Sequence, residues 1–344
     1  MTTAVLNGLA SSLTISLGPP RPAPTGPLDV AATAREIAQL SRGSVATASE
    51  LLNAYRSGQP QALADALDRT VAAQLRDSGA LQRPVTRNAV AEGAAIARFQ
   101  SILSQRPAVP DTIGLSDAQK FDVYASIVNV DGTRPARESL RNAATNGEPT
   151  VLALRNETST LVNRGRGDYD DRIVVLRRDR DGTPRVHEFT GNTEPSAQYD
   201  ARVARNGQRA APGYENVRAS HVEGNDLNHD QVRDLGRLME GTYRYVRRDR
   251  PFNGNVAFQT DGAQRAERDI NGDGQFNTAD SAANRLNGQR SESGDFGMHI
   301  HQGGVGTESA GCQTIAGRAA PDYARFLNAI GANQSFNYVL VNAR

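Results

Sequence analysis

The chain reads as an α+β protein in which an all-helical N-terminal module precedes a mixed β-sheet or sandwich domain. Three observations predict this. Apolar residues at helical spacing concentrate before residue 105, short runs of branched and aromatic residues begin only near residue 150, and Asp-, Gly- and Pro-rich turns separate those runs. At 344 residues there is material for two domains and a sizeable core. The 39 Lys plus Arg balance 38 Asp plus Glu to a net charge of +1, so no global field draws in nucleic acid or an anionic membrane. The longest strand-like apolar runs, 173–176 and 338–341, fall far short of the roughly 18–20 residues of a membrane span, and none is expected.

Residues 1–28 end in LGPPRPAPTGPLD, where Pro fixes φ and removes donors, and read as a flexible leader. The first basic residue is Arg21 and no clean cleavage site follows, so a Sec signal is not expected. Residues 29–110 form the helical module. Leu63, Ala66, Leu67, Val71 and Leu75 keep a 3.6-residue period, Gly79 stands where a helix stops, and three or four short helices are expected. This region has no His or Cys and reads as a packing or docking unit. RPAVP at 106–110 marks the boundary, and Ser116 then caps a further helix running to about Ala125.

Residues 111–344 form the second domain. Strands are expected at 151–154, 172–177, 186–189, 242–246 and 336–341, with Asp181-Gly182-Thr183-Pro184 as one of the turns between them. Near its end stand Gly297-Met298-His299-Ile300-His301-Gln302-Gly303-Gly304 and then Ser309-Ala310-Gly311-Cys312-Gln313-Thr314. Alternation along a strand puts His299 and His301 on one face, with Met298 and Ile300 facing the core. The glycines allow a loop that returns Cys312 over the strand end, and Gly311 permits a turn presenting a thiol together with backbone N–H groups. Cys312 is the one cysteine of the chain, so no intramolecular disulfide is possible. A thiol beside an imidazole is the pairing that nucleophilic acyl transfer needs, the imidazole lowering the thiol pKa and returning a proton to the leaving amine. One Cys and two His leave a zinc site short of a ligand.

His-x-Gly followed by Ser-x-Gly-Cys resembles the active-site segment of L,D-transpeptidase (YkuD-like) catalytic domains, and the Ser-Ala-Gly-Cys-Gln form resembles their divergent cell-wall-active members. Weaker agreement extends to Gly167-Asp168-Tyr169-Asp170-Asp171, Asn192-Thr193-Glu194-Pro195-Ser196 and Leu238-Met239-Glu240-Gly241-Thr242-Tyr243. The resemblance implies an enzyme in which Cys312 attacks a peptidoglycan stem peptide, His301 is the base, and the Gly311 and Cys312 N–H groups hold the oxyanion, with Ser309 in the same turn. Usual members carry His where this chain has Ala310 and Arg where it has Thr314, so His299 is a candidate either for the missing imidazole or for an orienting or structural role. Transpeptidation and hydrolysis stay open. A cell-wall enzyme without a Sec signal and with a separate helical module further resembles effectors injected by specialised bacterial secretion systems. That reading implies action in the periplasm or cell wall and a secretion-system component or immunity protein as partner, whereas a cytoplasmic enzyme is the other reading.

A second motif, residues 269–280, follows the register of EF-hand and dockerin calcium loops. Asp269, Asn271, Asp273 and Asn277 offer side-chain oxygens at positions 1, 3, 5 and 9, Gly274 turns at position 6, the Gln275 carbonyl stands at 7, and Asp280 closes at 12 where Glu is usual. The loop implies a structural Ca2+, because a hard cation does not activate a thiol. No organic cofactor is expected. The competing reading of the whole chain is a calcium-stabilised, non-catalytic cell-wall binding or adhesion module.

Overall fold

The structure, a computed structural model, describes residues 28–85, 88–317 and 321–344, leaving aside the side chains of 142–146. The described chain opens with α1 (Val30–Ser41), α2 (Val45–Arg56), α3 (Gln61–Asp77) and α4 (Ala89–Ser104). Asp29 and Ser44 cap the first two, accepting from Ala32 N–H and Thr47 N–H, because a short side-chain oxygen satisfies a donor the first turn leaves unpaired. α3 buries Leu63, Ala66, Leu67, Val71 and Leu75, and Gly79 follows it at φ 72°. These helices share a core centred on Leu52, Leu67 and Phe99. The expected leader lies outside the described residues up to 27, while its last residue, Leu28, is buried in that core.

Next, α5 (Asp117–Asp131) starts at a reciprocal Ser116–Gln119 capping box and runs past Ala125. α6 (Arg134–Asn146), too polar to register as an apolar period, follows. α5 sends Val123 into the first core and packs Phe121, Tyr124, Ile127 and Val128, with Ala136 and Leu140 of α6, against Leu152, Leu154, Val174, Leu176, Val339 and Val341.

The rest of the chain contributes β1 (Thr150–Arg155), α7 (Val162–Gly165), β2 (Asp171–Arg178), β3 (Pro184–Asn192), β4 (Gly236–Leu238), β5 (Gly241–Arg247), β6 (Phe258–Thr260), β7 (Gln264–Arg268), α8 (Thr278–Ala283), β8 (Ser291–Gly294), β9 (Ile300–Gly303), β10 (Gln313–Ala316), α9 (Asp322–Ile330) and β11 (Ser335–Asn342). Here the expectation of a sandwich is corrected. Eight strands close into a barrel in the order β1-β11-β5-β6-β9-β10-β3-β2, and only β4, β7 and β8 form a separate three-stranded sheet. The five strands legible in the sequence form one continuous run of staves. Closure depends on β6, β9 and β10, which are three or four residues long and rich in His, Gln, Gly and Thr, so neither length nor alternation betrayed them.

Val151, Ala153, Ile173, Val175, Phe189, Tyr245, Ile300, Phe336 and Tyr338 share one core with Phe326 of α9. Two helices cannot fit inside eight strands, so the face under α5 and α6 is the outer one and this cluster fills the interior. Burial on both faces explains why β1, β2 and β11 read as unbroken apolar runs.

A buried ionic knot joins the barrel to the small sheet. Arg237, 2% exposed, meets Glu194 at 2.7 Å, Glu267 at 2.9 Å and Glu157 at 2.9 Å. Arg155, fully buried at the end of β1, donates to Thr193 Oγ1 (2.8 Å), Thr193 O (3.1 Å) and Leu238 O (2.7 Å), with Glu194 3.5 Å away. Glu194 therefore neutralises part of two guanidiniums removed from water. Glu194→Gln keeps the shape and removes that charge, and is expected to cost about 3–5 kcal/mol, the scale for breaking a buried pair from one side. Urea unfolding checks it, and a loss under about 1 kcal/mol would show that the remaining carboxylates carry the knot.

Candidate active site around Cys312

The ladder between β9 and β10 is parallel, with Gln313 opposite Ile300 and Thr314 opposite His301. One residue earlier Cys312 lies beside His299, and the Gln313 N–H donates to His299 O at 2.7 Å. Met298 and Ile300 join the interior core. His299 and His301 instead both touch the Phe252 ring, at centroid distances of 5.1 and 4.8 Å. Cys312, His299, His301 and Thr314 thus share the outer face of the barrel wall.

The turn before the cysteine is fixed by hydroxyls. Ser309 Oγ accepts the Gly311 N–H at 3.0 Å and donates to Cys312 O at 2.6 Å, while Ser309 is gripped by Ser196, whose N–H donates to Ser309 O at 2.6 Å and whose Oγ accepts the Ser309 N–H at 3.2 Å. Gly311, at φ 126°, is obligatory because a Cβ there would lie 2.7 Å from Gly236 O. This corrects one expected role. The Gly311 N–H is spent on Ser309 and cannot serve as an oxyanion donor, which leaves the Cys312 N–H, for which no acceptor is seen among the described residues.

The thiol is not paired with an imidazole. Its Sγ accepts the His299 backbone N–H at 3.3 Å and stands 3.6 Å from Gly297 O, and no hydrogen bond joins it to either ring among the described residues. Burial pushes the Cys312 thiol up to about 11; the His299 N–H and Arg248 oppose that shift and Glu223 adds to it. The expected depression of the thiol pKa is therefore reversed, because a half-covered sulfur without a cationic neighbour in contact loses more hydration than it recovers.

The two histidines differ in what holds them. His301 Nδ1 lies 2.8 Å from Gln302 O, and a carbonyl can only accept, so Nδ1 carries the proton and Nε2 keeps the lone pair a base needs. Burial lowers its pKa, which keeps the ring neutral. His299 Nε2 stands 2.6 Å from Arg248 Nη1, and a guanidinium can only donate, so this lone pair is already occupied. Burial, then Arg248 and His301, push His299 down to about 4. Of the two rings His301 is the one that keeps a free lone pair, and it lies diagonally from Cys312, opposite Thr314 in the parallel register.

Several lining residues escaped the sequence reading. Arg248 follows β5 in the run Arg247-Arg248-Asp249-Arg250, which reads as a solvated charge cluster, and Phe252 stands two residues beyond it. Tyr169 and Ser196 fall within two of the segments that carried the weaker resemblance. Tyr169 donates from its hydroxyl toward Gly304 O and Gly306 O, both 3.1 Å away, and occupies the space a side chain at Gly303 would need. Asn192 ties to Asp168 O at 3.1 Å. Those segments therefore converge on the His-to-Cys loop.

No family model, curated protein or solved structure matches the chain.

The calcium-like loop lies elsewhere, beside the small sheet. Asp269, fully buried, accepts the N–H groups of Gly272 (2.9 Å), Asp273 (3.1 Å) and Gly274 (2.9 Å). Asp280 accepts those of Ile270 (2.8 Å) and Asn277 (2.8 Å), the latter closing the capping box of α8. The carboxylates brace the loop's own backbone, and no cluster of three or more acidic, His or Cys side chains with metal-holding geometry occurs among the described residues. Burial, with Asp200 and Asp280 nearby, pushes Asp269 up to about 7 although Arg202 opposes it.

A neutral thiol predicts how labelling responds to pH. Alkylation of Cys312 by iodoacetamide should rise about tenfold per pH unit from 7 to 10 and flatten near 11, since only the thiolate reacts. A plateau already reached below pH 8 would mean a pre-formed thiolate–imidazolium pair and overturn the assignment.

Proposed function

We propose that the protein is a cysteine acyl-transfer enzyme of the L,D-transpeptidase or L,D-carboxypeptidase type acting on peptidoglycan stem peptides. The observation that carries the reading is the shared outer face of β9 and β10: a single thiol, an imidazole whose tautomer leaves Nε2 basic, and a hydroxyl-locked turn delivering the Cys312 N–H beside the sulfur. The pair starts neutral, so His301 takes the thiol proton as Sγ attacks the carbonyl and gives it to the departing amine. The thioester then passes to an amine or to water. The Cys312 N–H supports the developing oxyanion, and Arg248 adds positive potential nearby. We propose further that the enzyme is exported by a specialised route to act on the wall, the helical module being the part available for docking. No helix among the described residues is long and apolar enough to cross a membrane.

The reaction is tested by mass spectrometry of purified muropeptides after incubation with the protein. Cys312→Ala should abolish product formation with the unfolding transition unchanged, and His301→Ala should lose at least about 10²-fold, the scale of a general base. Turnover by Cys312→Ala sinks the mechanism. A large loss in His299→Ala with a mild one in His301→Ala moves the base to the other imidazole.

We propose also that the 269–280 loop takes a structural calcium ion. Its support is the register of its oxygens and the crowding of Asp269 by Asp200 and Asp280, which a divalent cation relieves. Its cost is that Asp280 must release backbone donors to reach the ion. Free calcium at 100 times its Kd is expected to add about 2.7 kcal/mol of stability. The melting temperature should rise with calcium, fall with chelator, and lose both responses in Asp273→Ala. An identical melting curve in chelator and in millimolar calcium leaves the loop a self-braced turn.

A further inference from the structure

Ahead of β4 the chain carries a second Asp-x-Asn-x-Asp run, Asp226-Leu227-Asn228-His229-Asp230. Gln231 stands at its sixth position, where a calcium loop wants glycine, and Arg237 at its twelfth, where a carboxylate is wanted. The fold nevertheless winds this run as it winds 269–280. At the first position Asp226 accepts the N–H groups of Asp230 (3.0 Å) and Gln231 (2.9 Å), as Asp269 accepts those of Asp273 and Gly274. At the third, Asn228 accepts the Asp230 N–H at 3.3 Å, as Asn271 accepts that of Asp273. At the fifth, Asp230 accepts the Val232 N–H at 2.8 Å, as Asp273 accepts that of Gln275. Both loops are left-handed at the fourth and sixth positions, Gly272 and Gly274 at φ 71° and 76°, His229 and Gln231 at 59° and 71°. Glycine enters that region freely, whereas histidine and glutamine do so only where the surroundings hold them.

The two loops part at their ends. Arg237 is spent on the ionic knot, and this loop closes three residues sooner. Asn225 and Asp234 form a bridge, with N–H to O distances of 3.2 and 2.8 Å, which brings Asp234, the ninth position, against the run. Asp234 is fully buried; its Oδ1 accepts from Arg202 Nη2 at 2.9 Å, and its Oδ2 has no partner. Burial raises its pKa, Arg202 opposes that shift, Asp230 adds to it and the Leu227 N–H opposes it, so the carboxyl faces groups of the loop itself. A buried carboxylate oxygen without a partner is costly and uncommon. Arg202 does not neutralise the loop, because its Nη1 also meets Asp200 at 3.3 Å. Asp226 and Asp230 have no ion pair among the described residues, and Arg233, the loop's own cation, is exposed. The three carboxylates alone are not a metal-holding cluster. The Asn228 amide oxygen and the Val232 carbonyl complete a mixed oxygen shell of the kind a hard cation takes.

We propose that residues 226–234 form a second, shortened cation loop that binds one Ca2+ through Asp226, Asn228, Asp230, the Val232 carbonyl and Asp234. Five protein oxygens against the six offered by 269–280, with Asp234 partly held by Arg202, make it the weaker site, and its Kd is expected to be at least about tenfold higher. Melting at calcium concentrations that just fill 269–280 therefore still reports that loop. The two loops meet at one end of the small sheet, where Leu235 O accepts the Asp269 N–H at 3.0 Å and Arg202 reaches both Asp234 and Ile270 O. The second ion thus holds the same end of the β4–β7 pair. This inference rests neither on the acyl-transfer reading nor on an ion in the 269–280 loop.

The test counts calcium bound per chain by equilibrium dialysis of the full-length, chelator-stripped protein, and follows backbone amides of ¹⁵N-labelled protein during a calcium titration. Asp230 is exposed, so Asp230→Ala should keep the unfolding transition measured in chelator. The unaltered chain is expected to bind two ions, and Asp230→Ala and Asp273→Ala one each. In Asp273→Ala the Asp230, Gln231 and Val232 amide resonances should still shift saturably with calcium, and this readout stands even if Asp230→Ala fails to fold. Gln231→Gly, which gives the left-handed sixth position the residue it favours, should retain the second ion with no loss of affinity. A folded Asp273→Ala that binds no calcium and whose 230–232 resonances stay still overturns the second loop, as does a Gln231→Gly that loses the second ion. One ion that survives Asp273→Ala and is lost in Asp230→Ala keeps this inference and removes the ion proposed for 269–280.

Discussion

The arrangement depends on one buried carboxylate. Glu194 follows β3 and faces both Arg155 and Arg237, two guanidiniums almost wholly removed from water. Taking three such charges inside is unfavourable unless each is held by charge and hydrogen bonds, so the positions of β1, β4 and the 193–196 segment are mutually fixed. Asp171 extends the knot, accepting the N–H groups of Asn156 and Thr193, both at 2.6 Å, and the Thr193 hydroxyl at 2.6 Å. Two residues beyond Glu194, Ser196 grips Ser309, and Ser309 shapes the turn that carries Cys312. The position of the sulfur is set by a charge network it never touches.

That arrangement is firm at the Cys312 turn, where Ser309 and Ser196 tie it, and sparse where the barrel closes. β6 meets β9 at a single residue pair, Phe258 with Ile300, and β10 meets β3 at two. β9 and β10 pair with each other over four residues but meet the rest of the barrel at these few pairs, and side chains add further ties: Tyr169 on the loop carbonyls, Ser196 on Ser309, and the Phe252 ring against both imidazoles.

Much of this organisation is legible in the residues. Caps at Ser44 and Ser116, the spacing from Leu63 to Leu75, and the branched runs of β1, β2 and β11 carry local signals strong enough to fix helix and strand. Closure into a barrel is not legible, since it rests on pairing between distant short segments that look like loops. At the site, Cys312 and the alternating histidines are marked by their spacing, but their protonation is not: it follows from partners supplied by the fold, the Gln302 carbonyl for His301 and Arg248 for His299. Arg248 itself lies 64 residues before Cys312 in a charged run that gives no reason to separate it from Arg247 or Arg250.

The loop at 269–280 connects to the same framework. Gly274 O accepts the Thr160 N–H at 2.9 Å, Thr160 O accepts the Ala197 N–H at 3.2 Å, and Ala197 adjoins the Ser196 that holds Ser309. On the other side Arg202 donates to Ile270 O and to Asp234, both at 2.9 Å, fastening the loop to the segment that leads into β4. The ion proposed there would be separated from Cys312 by several links and would lend no charge to the sulfur. What it can alter is how firmly Thr160, Ala197 and hence Ser196 are held. The consequence is a division of labour: the ionic knot at Glu194 fixes one end of the 193–197 segment, the loop braces the other, and the Cys312 turn hangs between them.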